Sequence, residues 1–294
     1  MKTQKLSVDM FSIFNYLFLT ILLILCIYPF YYIFIYSISN PIEAAKGIYL
    51  LPAGFTLSNY VRVLSLPGIA NSSIITLGRT VIGTIITVAC SSLLAYLMSK
   101  REMYLRTVLY RILIITMYFN AGLIPFYLTI KMYHLNQSFL LYVIPGAVSA
   151  YYVILIKTFI EQLPPSLEES AKLDGAGFFR IFVKIIFPLS MPIVATIAIF
   201  SAVAQWNSWI DNFLFSTNPK LKTLQLTLYE YLTQTNRIAQ ATMQERNSGQ
   251  AVRELTPAAV RMTITMVVTL PIIFVYPFLQ KYFVKGLMLG AIKG

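Results

Sequence analysis

Residues 169–188 read ESAKLDGAGFFRIFVKIIFP, a polar, helix-forming stretch set between two strongly apolar segments. Pro164-Pro165 stops whatever precedes it, since proline cannot continue a helix. Ser166-Leu167-Glu168-Glu169 fits a capping box, with Ser166 as N-cap and Glu169 reaching back to it. Glu168 and Lys172 stand four apart and are placed to pair on the helix surface. Asp174-Gly175 closes the helix, because glycine tolerates the left-handed conformation common at that position. A second helix is expected over 178–186, with Phe178, Phe182 and Ile185 on one apolar face, before Pro188 and Pro192 lead into the next apolar segment. The expectation is two short helices at an angle, presented to water; the bland alternative is an amphipathic loop lying on a membrane surface.

The surroundings of this stretch are those of a bilayer protein. The 294 residues are 57% apolar and 12% charged, against about 25% charged in a typical soluble domain. A spanning helix needs roughly 20 mostly apolar residues, and six such segments are found, at about 15–38, 72–98, 108–130, 138–158, 192–214 and 258–280. The expected fold class is therefore all-α integral membrane, six transmembrane helices with a cytoplasmic helix-turn-helix loop at 159–191. Residues 1–14 form an N-terminal tail, 215–257 a long polar loop and 281–294 a basic tail, for which a frayed end is the bland reading. The first apolar run follows Lys2 and Lys5 but is too long for a signal core of about 7–15 residues and lacks a small-residue cleavage site, so it reads as a retained helix. The net charge of +12 is scattered between apolar spans, which is how membrane proteins carry orienting charge, so nucleic acid is not an expected partner and membrane lipid is. Cys26 and Cys90 each sit inside an apolar segment, which argues for packing rather than a disulfide.

Orientation follows from Lys and Arg near the span ends. With the N-terminus inside, 13 of the 23 basic residues are cytoplasmic, and the short 99–107 loop and the two tails decide the balance because long loops cross regardless of charge. Both termini and the 159–191 loop are then cytoplasmic.

Polar groups inside the spans are the other candidates, since they are costly facing lipid and usually face the bundle interior or a water-filled cavity. Gln205 and Asn207, with Trp206 between them, either hydrogen-bond a solute or join helices. Trp209 and Asp211 lie nearer the outer surface and read as interfacial. Asn120, Gly122 and Pro125 interrupt the third span, as a kink or as a broken helix lining a solute path. Arg79, about two turns into the second span, reads as snorkelling to the outer interface, the alternative being the wall of an outer cavity; Arg261 is alike. No Gly-rich phosphate loop and no zinc-protease helix motif occurs, and His134 is the only histidine, so no catalytic residue and no metal ligand is assigned.

The spacing Glu169-Ser170-Ala171, three residues, Gly175, nine residues, Ile185, one residue, Phe187-Pro188 resembles the cytoplasmic loop of binding-protein-dependent importers, Glu-Ala-Ala-x3-Gly-x9-Ile-x-Leu-Pro, with Ser170 in place of Ala and Phe187 in place of Leu. Leu173-Asp174-Gly175-Ala176, Pro188-Leu189-Ser190-Met191-Pro192 and Gln205-Trp206-Asn207 are similar to the carbohydrate-uptake branch, the maltose-transporter type. The ending from Tyr276-Pro277-Phe278 to Lys285-Gly286 is similar to a subgroup linked to complex or modified oligosaccharides. The resemblance implies a permease subunit that works by alternating access and binds no cofactor. ATP and Mg would be handled by two separate ATPase subunits, which Glu168, Glu169, Ser170, Ala171, Asp174 and Gly175 would engage. A second homologous permease making a heterodimer, an extracytoplasmic solute-binding protein facing the 215–257 loop, an oligosaccharide substrate and a place in the bacterial cytoplasmic membrane are implied as well. Asn120, Gln205, Trp206 and Asn207 would line the substrate path, and the basic residues of the long loop (Lys220, Lys222, Arg237, Arg246, Arg253) suit an acidic oligosaccharide. The alternative is a stand-alone secondary transporter or channel, for which the spans offer a single acidic residue, Asp211, near an edge.

Overall fold

A computed structural model describes residues 10–48, 50–119, 121–233 and 256–291, with backbone alone at 276 and 278–291. The described secondary structure is helical apart from one isolated antiparallel bridge, Ser39 to Phe55. In chain order the helices are α1 (Met10–Ser37), α2 (Pro41–Ala44), α3 (Ser58–Leu64), α4 (Ile69–Ser99), α5 (Arg106–Tyr118), α6 (Leu123–Met132), α7 (Ala150–Ile160), α8 (Ser166–Leu173) and α9 (Phe178–Ile181). There follow α10 (Phe187–Leu189), α11 (Met191–Asn207), α12 (Ile210–Phe215), α13 (224–233) and α14 (Pro257–Ala291). Among the described residues three single helices are long and apolar enough to cross a membrane: α1, α4 and the 257–275 part of α14. The other apolar segments are broken where the sequence carries breakers. Gly122, at φ +84°, separates α5 from α6. Pro145-Gly146 lies between a 3-10 turn at Phe139–Tyr142 and α7. Ser208, with ψ at 133°, ends α11 before α12. The stretch Phe178–Leu189 and α11 meet at an 81° bend.

The chain divides into two units, 1–66 with 230–269 and 67–229 with 270–294. In the first, α1 is buried at its end alone, where Ile35 and Tyr36 pack with Ala44, Ile48 and Ala259. Asn59 ties this end down, its Nδ2 donating to the carbonyls of Ser37 (2.9 Å) and Ser39 (2.8 Å) that a finished helix leaves open. Cys26 is exposed on α1, so the expectation that it packs in a core fails: the helix meets nothing there within the isolated chain.

The second unit is organised by α4, which packs against α7 and α11. Its buried face carries Ser72, Thr76, Gly83, Thr87, Ser91 and Ala95, mostly one turn apart. Small side chains let neighbouring backbones approach closely, which is how helices associate where lipid removes the hydrophobic drive. Below this stripe Ala95, Tyr96, Val153, Ile156, Ile181, Ile186 and Ile197 form an apolar core that reaches from the spans into the 159–191 loop. The backbone of α14 is helical through Ala291, so residues 281–291 continue a helix rather than fray.

Candidate functional site

The 159–191 loop is built as two helices joined at Gly175, with local chemistry that differs from the expectation. Ser166 is the first residue of α8, not its cap; Pro165 stands at the N-cap and no side chain caps the end. The proline pair fixes the backbone direction there and leaves Ser166 already helical, so the capping box does not form. Glu168 and Lys172 do not pair with each other. Glu168 accepts from Lys100 at the end of α4, a partly covered ion pair with the side chains 16% and 13% exposed. Lys172 donates to Glu102 at 2.8 Å, and Lys100 also lies over the Tyr96 ring, 4.4 Å from its centre. The effect is to bind α8 at two points, to Lys100 at the end of α4 and to Glu102 in the turn that follows it. Both charges in the second pair are exposed; the Lys172 hydrogen bond holds Glu102 below the usual carboxylate range, and Glu102 in turn raises Lys172. A third tie joins Arg106, which donates to Glu161 (2.9 Å) and to the Met98 carbonyl (2.7 Å).

The turn at Gly175 is as expected. Its φ is +77°, the Gly175 amide donates to the Lys172 carbonyl and the Ala176 amide to that of Ala171, both at 3.0 Å. This is the paired closure of a helix end that satisfies two orphan carbonyls. A side chain at 175 would meet no atom within 4 Å, so backbone conformation rather than space demands glycine. Beyond the turn, the expected 178–186 helix is α9 for one turn, then a π turn over Phe182–Ile186, then α10. The extra residue rotates the face, so Ile181, Phe182 and Ile186 are buried while Phe178 is exposed. Ala171 is the buried residue of α8; Glu169, Ser170, Asp174 and Gly175 face outward, and Leu173 is 90% exposed.

The second constellation centres on Arg79. It does not snorkel: its side chain is 2% exposed, and all its polar atoms are engaged. Nη1 and Nη2 grip the Asp211 carboxylate fork to fork at 3.2 and 2.6 Å. Nε and Nη2 share Gln205 Oε1 (3.2 and 3.1 Å), and Nη1 also reaches the Ser208 carbonyl (3.2 Å), which the break after α11 leaves free. The guanidinium lies 4.5 Å over the Tyr142 ring. Burying a charge is costly unless it is paired and its hydrogen bonds are met, and here Arg79's five donors find five contacts. Thus Asp211 is not a bystander at the interface; it is the counter-ion. Gln205 fits because position 83 is glycine: a Cβ there would stand 2.6 Å from Gln205 Nε2. That Nε2 donates to the Tyr142 carbonyl at 3.2 Å.

These groups line a cleft of about 390 Å³, together with Thr87, Ser149, Tyr152 and Ser201. Of the expected path residues, Gln205 lines it; Trp206 is buried, and Asn207 is exposed and accepts from Gln225 (3.1 Å). Asn120 lies outside the described residues, as do Arg237, Arg246 and Arg253 of the long loop. The short helix expected near Leu224–Thr233 is α13. Its first turn is tied to α4: Leu224 N donates to Thr76 Oγ1 (2.8 Å), and the hydroxyls of Ser72 and Thr227 pair at 3.1 Å. Trp209 stacks on Tyr229 with ring centres 4.2 Å apart. Sequence reasoning missed the Arg79–Asp211 pair and the Lys100–Glu168 tie; for the first, the available signal was Asp211, the one acidic residue of the six apolar segments, which needs a cation inside the bundle and finds it in Arg79.

Known proteins agree with this architecture. A family profile described as "Binding-protein-dependent transport system inner membrane component" matches residues 87–289. The polygalacturonan/rhamnogalacturonan transport system permease protein YtcP of Bacillus subtilis is 35% identical over 286 residues, covering 97% of this chain and 99% of that one. The melibiose/raffinose/stachyose import permease protein MelC of the same species is 29% identical over 275 residues, covering 90% and 91%. A chain in the crystal structure of a bacterial ABC transporter involved in import of the acidic polysaccharide alginate matches with a TM-score of 0.85 and 30% identity, covering 96% of this chain and 100% of that one. The chain belongs to the binding-protein-dependent transport system inner membrane components, the permease subunits of ABC transporters, which move solutes in concert with partner subunits and are not themselves enzymes.

Proposed function

We propose that this chain is one of two different permease subunits of an importer that moves an oligosaccharide inward by alternating access, with α8 and the Gly175 turn docked on an ATPase subunit. ATP and Mg are held by the two ATPases, and an extracytoplasmic binding protein delivers the sugar to the 215–257 side. The chain crosses the cytoplasmic membrane six times with both ends inside; three crossings are the single long helices and three are composite, broken at Gly122, Pro145-Gly146 and Ser208. The relatives' names and the basic long loop favour an acidic, uronate-containing oligosaccharide.

The observation that carries this reading is the mounting of α8. Two ion pairs fasten it to the end of α4 and the turn just after it, and its outward side offers Glu169, Ser170, Asp174 and the bare Leu173. A push on that surface is delivered to α4, and α4 carries Arg79 and the cleft. Glu169 has the position to pair with a basic residue of the ATPase. The test is co-purification from native membranes of wild type, Glu169→Lys and Gly175→Asp. An ATPase and a second permease should accompany wild type, and the ATPase alone should be lost from the variants. Wild type that purifies alone and still moves solute sinks the proposal.

A further inference from the structure

We propose that the Arg79–Asp211 pair is an occupied carboxylate site, in which Asp211 stands in for a uronate carboxylate of the transported sugar and yields Arg79 to it. This rests on the oligosaccharide-importer reading and names the residue that reads the sugar's charge. Among the described residues that line the cleft, Arg79 is the single cation and Asp211 the single anion. The fork-to-fork geometry is the one arginine uses for any carboxylate, free or protein-borne.

Three features make the site exchangeable rather than merely structural. First, the two partners are unequally held: Arg79 is 2% exposed, whereas Asp211 is 24% exposed, so it is the carboxylate that water and solute reach. Second, Arg79 does not depend on Asp211 for its position. Gln205 holds two of its nitrogens, the Ser208 carbonyl a third contact, and the Tyr142 ring its plane. Gln205 is itself fixed by Gly83 and the Tyr142 carbonyl. Third, Asp211 is the second residue of a helix of only six residues behind the break at Ser208, and apart from Arg79 its carboxylate accepts from the adjacent Asn212 amide (2.8 Å), so it can swing without unwinding α11.

The exchange keeps the buried guanidinium paired with one carboxylate. A uronate replaces Asp211, Arg79 keeps a carboxylate throughout, and the freed Asp211 turns to water. A neutral sugar has nothing to offer in trade, because displacing Asp211 would leave a buried cation unpaired. The cleft then works as a filter for acidic sugars although its own net charge is zero.

The test uses the purified complete transporter without its binding protein, so that only the membrane subunits select. Calorimetry compares trigalacturonate with its fully methyl-esterified form, which has the same rings without the charge. Wild type should prefer the acid by about tenfold or more, as expected for a charge-assisted hydrogen-bonded pair. Arg79→Lys, which keeps the charge but loses the fork, should abolish most of the preference. Asp211→Asn, which removes the resident competitor, should tighten trigalacturonate relative to the ester by about tenfold. Wild type without preference for the acid, or variants that move both ligands in proportion, overturns the proposal and leaves Arg79 a purely structural clamp. Uptake into proteoliposomes with the binding protein present is scored separately. A transporter that carries only neutral saccharides keeps the importer reading and ends this one; a transporter that carries no saccharide ends both.

Discussion

Replacing Gly175 by alanine isolates the turn that closes α8. The residue sits at φ +77°, and an added Cβ would meet no atom within 4 Å. The substitution therefore carries no steric term within the chain; its cost is the left-handed backbone alone, about 1–2 kcal/mol for an L-residue with a side chain. That energy moves a local opening equilibrium by roughly 5- to 30-fold. The bonds that report it are those from the amides of residues 175 and 176 to the carbonyls of Lys172 and Ala171. Hydrogen exchange on the isolated subunit in lipid nanodiscs should show the 176 amide exchanging faster by that factor in Gly175→Ala. Asparagine tolerates this conformation better than alanine, so Gly175→Asn should restore most of the protection. An alanine variant as protected as wild type, or an asparagine variant as labile as alanine, would refute the backbone argument. The same pair of variants then separates folding from docking. If ATP-driven uptake falls with both, despite restored protection in the asparagine variant, the turn's bare surface is needed by the partner.

Further outcomes follow from the ties around it. Lys100→Ala should destabilise the seating of α8 by about 1.5–3 kcal/mol, the cost of removing one partner of a charge-assisted contact, read as protease cutting within 166–176; exchanging the charges as Lys100→Glu with Glu168→Lys should recover part of it. Gly83→Ala drives a methyl to 2.6 Å from Gln205 Nε2, so thermal unfolding of the detergent-solubilised subunit should show a loss of about 1–3 kcal/mol, larger than for Gly78→Ala, where the nearest atom is 3.5 Å away on the Phe139 ring. The Glu102–Lys172 pair has a pH signature of known sign. Glu102 is lowered below 4.5, so its contribution is present above that value and lost as pH falls through the folded pKa; Lys172 is raised above 10.5, so its contribution is present below that value and lost as pH rises through its own. Protection of α8 amides should therefore be flat between about pH 5 and 10 and decline outside, and Glu102→Gln should flatten the acid limb. The pair is exposed, so the effect is small, and a strong pH dependence inside that window would contradict it.

What the sequence disclosed and what it concealed divide along one physical line, the distance over which an interaction acts. The Gly175 turn was legible because φ, the 5→2 and 6→1 bonds and the need for glycine all lie within six consecutive residues. The α8 cap was misread at the same range because two local rules competed, and the Pro164-Pro165 geometry prevailed over the Ser166 side chain. The π turn at 182–186 escaped because a single added residue leaves no mark in composition. The Arg79 pair was hidden for a different reason. Its members are 132 residues apart, and each taken singly has an innocent account, snorkelling for one and the interface for the other. Taken together they do not, since a span that strands a cation and another that strands an anion minimise their cost by meeting. That pairing then explains the small residues between them. Gly83 has no side chain because Gln205 must pass there to hold Arg79, and Ser208 lies at a helix break because its free carbonyl is one of the acceptors. The break in the fifth apolar segment is thus part of the site rather than a defect in a span, and the loop and the cleft are joined by one continuous helix, α4, with Lys100 at its base and Arg79 about six turns above.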